Sequence, residues 1–200
     1  MGPCRHRNAT TGGNMEPLDH WKVAIDAFTS VVHQIGDDQW AVTVPSCPEW
    51  TVRELIDHVA GFQRVTVGQL DAPEAINTPL GDDPGESWDE IRRALGAAVD
   101  VDGAMDNIME SAWDTAPFSE MMMLPTIDLT FHTWDLARAI GADDTLPEAT
   151  ARACYEILLP FDDAIRRSTG AYPDGYDDKI EPPADADAQT LLLCFGGRQP

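Results

Sequence analysis

Basic residues are scarce in this chain: 13 lysines and arginines stand against 35 aspartates and glutamates, a formal net charge of -22 at pH 7. A surface this acidic repels phosphate backbones and anionic lipid headgroups, which argues against nucleic acid and membranes as partners. Long apolar runs are missing too. None reaches the roughly 18 residues that a membrane-spanning helix needs, and the N-terminus lacks the apolar core of a secretory signal, so the expected location is the cytoplasm. The four cysteines, Cys4, Cys47, Cys154 and Cys194, are scattered with no C-x-x-C pair. That spacing indicates neither a disulfide framework nor a thiolate zinc site, and it predicts reduced thiols. Strand signals are nearly absent, AVTV at 41–44 being a doubtful exception, and no internal repeat is visible.

What is present is helical periodicity. Two hundred residues with a hydrophobic fraction of 43% suit one domain with a real core. Residues 1–14 are polar and aperiodic and read as a disordered leader, an upstream start or a cloning remnant, leaving 15–200 as a single helical domain. Leu18, Trp21, Ile25, Phe28, Val32 and Ile35 form a 3.6-residue stripe that stops at Gly36. Residues 37–49 hold two prolines and read as a connecting loop. Thr51 and Glu54 then form a capping box, with Trp50 and Leu55 placed as a hydrophobic staple. The helix that follows buries Val52, Leu55, Ile56, Val59 and Phe62, and His58 lies at the edge of that face, about 60° from Leu55.

A polar Gly- and Pro-bearing segment over 71–86 is long enough to cross the end of a bundle. Ser87 with Glu90 predicts a second capping box and a helix to about Val101, with Ala94, Leu95 and Ala98 inward. Residues 102–120 read as loop with a helical fragment. The next helix spans about 119–140, with Pro125 near its first turns and Gly141 as its C-cap. Thr145 with Glu148 predicts a third box, opening a helix to about Arg167 that Pro160 kinks. A Pro-rich strap and a short helix over about 187–195 complete an all-α bundle.

Within the 119–140 helix, Leu124, Asp128, His132 and Leu136 form one i, i+4 row, so a carboxylate and an imidazole share a face between leucines. Two such groups supply two ligands of a divalent metal site, and His58 is the candidate third from another helix. Two imidazoles and a carboxylate leave a position open for water or substrate, the ligand count of catalytic zinc. Asp135, one turn beyond His132, either orients that imidazole or pairs with Arg138, the second being preferred. Trp134 reads as packing and Trp50 as staple. Cys47 can approach the mouth of the site, but no base stands at recognisable spacing from it. His20 and His33 fall on polar flanks and read as solvated.

The runs CPEWTVRELIDHVAGF, HTWDLARAIG and PPADADAQTLLLCFGGR closely resemble the DinB-like bundle proteins related to the N-terminal domain of mycothiol-dependent maleylpyruvate isomerase, found mostly in actinobacteria. The likeness covers nearly everything from Pro17 to Arg198. It implies a DinB-like four-helix bundle, here with additional C-terminal helices, holding one divalent metal, usually zinc. The family's first histidine falls on His58 and its carboxylate-x-x-x-His pair on Asp128 and His132. The isomerase has glutamate where this chain has Asp128, whose shorter side chain draws the metal nearer the helix axis or lengthens a bond. The sequence also ends without the isomerase's separate C-terminal domain and its arginine, so maleylpyruvate isomerisation itself is not expected.

The expected function is therefore a metal-dependent enzyme of the mycothiol transferase or isomerase type acting on a small electrophile, a divalent cation stabilising a bound thiolate. Two alternatives stay open. One is a noncatalytic small-molecule-binding or dimeric scaffold protein, and the other a thiol-independent tailoring enzyme in small-molecule biosynthesis that uses Lewis-acid chemistry. A homodimer is among the expectations, since bundles of this kind leave apolar surface for self-association.

Overall fold

Proline positions and side-chain caps set the element boundaries of the computed structural model, which describes residues 15–70, 80–110, 115–167 and 178–200. The leader at 1–14, most of the crossing segment and Trp113 lie outside the described residues. Helix α1 (Pro17–Val32) starts with proline in its first turn, where a missing amide donor costs nothing. It ends three residues before Ile35, which still packs on the core from the following turn.

The expected loop at 37–49 contains structure. Strands β1 (Thr43–Val44) and β2 (Cys47–Thr51) pair antiparallel, Thr43 opposite Thr51 and Val44 opposite Cys47. Pro45 and Pro48 forbid a helix here, but a two-stranded ribbon has open edges where a proline needs no partner. Helix α2 (Val52–Thr66) begins at the predicted box: the Glu54 amide donates to Thr51 Oγ1 at 3.3 Å and the Thr51 amide to Glu54 Oε2 at 2.7 Å.

Helix α3 (Pro84–Val99) starts earlier than predicted. Asp83, not Ser87, is its N-cap, accepting the Glu86 amide at 3.0 Å, and Pro84 occupies the first turn. Ser87 sits inside the helix, where its hydroxyl donates to the Asp83 carbonyl and accepts the Gly81 amide. The ambiguous stretch after α3 holds a second ribbon, β3 (Ile108–Glu110) with β4 (Thr115–Pro117), and a single turn, α4 (Phe118–Met121), that leads into α5 (Met123–Ile140). Gly141 closes α5 at φ 72°, as its C-cap role requires.

Helix α6 (Glu148–Leu158) lacks the predicted box. The Thr145 amide donates to Asp143 Oδ1 in a local turn, and Pro147 holds the N-cap position with no side-chain bond. Pro160 does more than kink: it lies in a tight turn that separates α6 from α7 (Asp162–Arg167). Helix α8 (Ala188–Phe195) is capped by Asp187, which accepts the Thr190 amide at 2.8 Å.

The four long helices form the bundle. Helix α5 packs between α1 and α2, and α3 contacts both of those from the other side. Their shared core includes Trp21, Phe28, Leu55, Ile56, Trp88 and Leu95. A second apolar cluster joins Phe131 and Trp134 of α5 to α6 and α8. Helix α5 is thus covered on nearly every side, with thirteen of its eighteen residues buried from Met123 to Ala137. Its buried threonines need partners in an interior without water. Thr126, Thr130 and Thr133 each donate to the carbonyl four residues back, at 2.6–2.7 Å.

His20 departs from its predicted solvated position. It is buried, and Nδ1 lies 3.1 Å from Thr150 Oγ1 of α6. His33 is exposed and pairs with Asp89 at 2.9 Å. Burial lowers the His20 pKa from 6.5 more than neighbouring Asp19 raises it. The unfolded chain therefore takes up a proton at higher pH than the fold does. Stability from neutral His20 is complete above pH 6.5 and is lost as the pH falls below it.

Two outcomes follow for urea denaturation. The gap between wild type and His20→Gln is widest near pH 8 and narrows toward pH 5.5; a gap that is constant or widens over that interval contradicts the burial effect. Thr51→Ala costs about 1 kcal/mol at pH 7 by removing the α2 cap, and a change within about 0.2 kcal/mol would show the cap to be idle.

Candidate metal centre

Helix α2, helix α5 and the β1–β2 hairpin converge on one cluster of polar side chains. The Thr51 cap fixes the start of α2 two turns before His58, which stands at the rim with its side chain 34% exposed. Helix α5 contributes Asp128, His132 and Asp135 from one face. His58 Nε2 lies 3.1 Å from Asp128 Oδ1, and His132 Nε2 lies 3.6 Å from the same oxygen. Nitrogen and oxygen atoms of the three residues fall within 4.8 Å of one another. Donors at about 2 Å from a tetrahedral ion sit about 3.3 Å apart, so this spacing suits one small cation.

Asp135 does not pair with Arg138, which instead donates to Asp144 at 3.2 Å and lies over the Trp134 ring. Asp135 is fully buried and is met from three elements. His132 Nδ1 is 2.9 Å from Oδ2, Ser46 of the hairpin donates to Oδ1 at 2.5 Å, and Arg198 donates through Nε and Nη2 at 2.8 and 2.7 Å. Burial favours the protonated acid, but the Arg198 charge and the bonds from His132 and Arg198 outweigh it and hold the carboxyl well below the usual range.

An ionised Asp135 only accepts, so its partner nitrogen, His132 Nδ1, carries the proton. In the neutral ring the lone pair of His132 Nε2 is left to face a carboxylate oxygen of Asp128, 3.6 Å away. The second Asp128 oxygen, Oδ2, is buried and has no hydrogen-bond partner among the described residues. A lone pair so placed and an orphaned buried carboxylate oxygen are both satisfied by a cation.

Cys47, His132 and Asp135 form a second group of compatible ligand atoms that shares His132. Both Asp135 oxygens already accept short bonds, and the Cys47 sulfur is 3.9 Å from Oδ2. This group supports the first rather than offering a site of its own. Cys154 and Cys194 are buried elsewhere, and burial pushes the Cys154 thiol up to about 12, leaving it inert.

The sequence reading located His58, Asp128 and His132 and brought Cys47 to the mouth. It missed Ser46 and Arg198, and it gave Trp50 too small a part. The Trp50 ring stands 4.5 Å from the His58 ring and 5.9 Å from that of His132, walling the donors on the hairpin side. Phe62, one turn after His58 on α2, stacks at 6.5 Å. Arg198 is separated from Asp135 by 63 residues, and no periodicity links them. The one available signal was the GGR that ends the third family-like run.

Comparison with known proteins agrees with this architecture. The chain is 30% identical over 133 residues to two uncharacterised proteins of Mycobacterium tuberculosis, from strains CDC 1551 / Oshkosh and ATCC 25618 / H37Rv, covering 66% of this chain and 71% of each relative. No solved structure gives a significant match. No helix among the described residues is long and apolar enough to cross a membrane. The model of the mycothiol maleylpyruvate isomerase N-terminal domain matches residues 21–137, a span of more than half of the chain within which the three candidate ligands fall, and the chain belongs to that family.

Proposed function

We propose that the protein is a divalent-metal-dependent enzyme of the thiol transferase or isomerase type, with His58, Asp128 and His132 as ligands and zinc as the metal. Mycothiol is the proposed thiol cosubstrate, the substrate is a small electrophile, and the site of action is the cytoplasm. The observation that carries this reading is the buried, orphaned Asp128 Oδ2 on a carboxylate whose other oxygen lies 3.1 Å from His58 Nε2 and 3.6 Å from His132 Nε2. Family membership makes thiol chemistry the first choice among the uses of such a centre.

A bound divalent cation would supply the positive charge that keeps a thiol deprotonated at neutral pH. The protein's residues do the rest. Asp135 holds the His132 ring in one tautomer, so that Nε2 is committed to the centre. His58, set on a capped helix at the rim, leaves the centre open toward solvent on its own side. Trp50 and Phe62 flank that imidazole and offer apolar walls to an incoming thiol or electrophile. The ligand set carries one negative charge, from Asp128, so a divalent cation leaves net positive charge for an anionic cosubstrate. Ile157, Leu159 and Phe161 are exposed on α6 and the turn after it, and they offer apolar surface for the proposed homodimer.

A metal-free reading draws on the 3.1 Å contact between His58 and Asp128, which is an ordinary hydrogen-bond distance. It makes the protein a noncatalytic binding or scaffold module, and it leaves Asp128 Oδ2 unexplained.

Elemental analysis of protein purified without a histidine tag separates the two readings. The metal reading expects about one equivalent of metal per chain, lost in His132→Ala. Less than about a tenth of an equivalent, or a content unchanged by that substitution, would sink it. Turnover of an electrophile that requires mycothiol assigns the thiol, and equal turnover without it assigns the thiol-independent tailoring chemistry.

A further inference from the structure

The segment after α8 runs Gly196, Gly197, Arg198, and its conformation is specified at each residue. A side chain at Gly196 would place a Cβ 2.5 Å from Phe131 Cε1, inside any real contact distance, and Gly197 has φ 75°, which disfavours other residues. The Gly196 amide donates to the Leu192 carbonyl, that of Gly197 to Cys194 and that of Arg198 to Leu193. The chain is thereby turned back onto α5. Arg198 then reaches the buried carboxylate with its guanidinium 4.5 Å over the Phe131 ring, Nη1 on the Gly196 carbonyl, and Nε and Nη2 forming two parallel bonds to Asp135.

Two parallel bonds fix the plane of a carboxylate as well as its position, which a single point charge does not. With that plane fixed, Oδ2 is left pointing at His132 Nδ1 at 2.9 Å. We infer that Arg198 is a positioning residue for the metal centre: through Asp135 it sets the tautomer and ring orientation of His132, so that ligand affinity depends on a side chain that never touches the ligand. This rests on the metal reading of the site for its second consequence but not for its first, because the tautomer is a property of the protein without metal.

Arg198 has a purely structural alternative, in which it only staples the α8 segment to α5. Stapling alone would leave the His132 imidazole as it is whenever the protein stays folded. The guanidinium does touch groups on both elements, Phe131 and Asp135 on α5 and the Gly196 carbonyl after α8, so a stability loss by itself does not discriminate. The imidazole does.

The test uses 15N-labelled histidine spectra of metal-stripped protein at pH 8, alongside metal affinity measured by chelator competition, on wild type, Arg198→Met and Arg198→Lys, with folding checked by circular dichroism. The expected result is a His132 held as the Nδ1–H tautomer in wild type and a mixture or the Nε2–H tautomer in Arg198→Met. Zinc affinity is expected to fall about 10- to 100-fold in that variant, with partial recovery in Arg198→Lys, which restores charge without the paired geometry. If Arg198→Met does not fold, Arg198→Lys carries both readouts. An unchanged His132 tautomer in a folded variant, together with affinity within about twofold of wild type, overturns the inference. Wild type that binds no zinc while its tautomer still depends on Arg198 defeats the metal reading and leaves the positioning role standing.

Discussion

A carboxylate taken fully out of water must be matched by charge and hydrogen bonds, and the arrangement around Asp135 is how this fold meets that constraint. Ser46 arrives from the hairpin, Arg198 from beyond α8 and His132 from the same helix, so one buried group ties together segments far apart in the chain. Removing one partner of such a buried pair costs on the order of 3–5 kcal/mol, because the other charge is stranded. The same matching that keeps Asp135 ionised commits the proton of His132 to Nδ1. The geometry of the candidate centre is therefore a consequence of how the interior balances its charge.

Helix α5 makes this balance necessary. It is the wall shared by two apolar clusters, the bundle core on one side and the α6–α8 packing on the other. A helix buried all round has no solvated stripe on which to leave polar residues. Its threonines satisfy themselves on their own backbone, and its acids and histidine satisfy each other or a neighbouring element. Asp128 Oδ2 is the exception among the described α5 side chains, and it belongs to the carboxylate whose Oδ1 meets His58 of α2, beside the Trp50 indole of the hairpin.

The bundle was legible in the sequence because 3.6-residue stripes and the Thr51 box are local signals, and the three candidate ligands because i, i+4 spacing on one helix and a rim position on another are local too. Two of the predicted boxes failed for physical reasons. At Ser87 the pattern lost to Asp83 followed by Pro84, a cap and first-turn proline that start the helix a turn earlier. At Thr145 the amide was already taken by Asp143, and the Leu146 amide by Gln189 of α8. Of the two roles open to Asp135, the preferred pairing with Arg138 fails and the contact with the His132 imidazole holds; Arg138 is a near neighbour along the helix, whereas the arginine that does pair with Asp135 arrives from 63 residues away. His20 was misplaced for the same reason, since the helix that covers it lies 130 residues on. Short ribbons such as β1–β2 carry too few residues for alternation to show, though this one supplies Ser46, Cys47 and Trp50 to the centre.

In the proposed centre the cation sits among His58, Asp128 and His132 and not among Cys47, His132 and Asp135, the other group of ligand atoms that shares an imidazole. X-ray absorption at the metal edge of the zinc-loaded protein distinguishes them directly. The expected result is a shell of nitrogen and oxygen donors at about 2.0–2.1 Å with imidazole scattering and no sulfur. A sulfur donor at about 2.3 Å would contradict it and move the metal to the Cys47 side of His132.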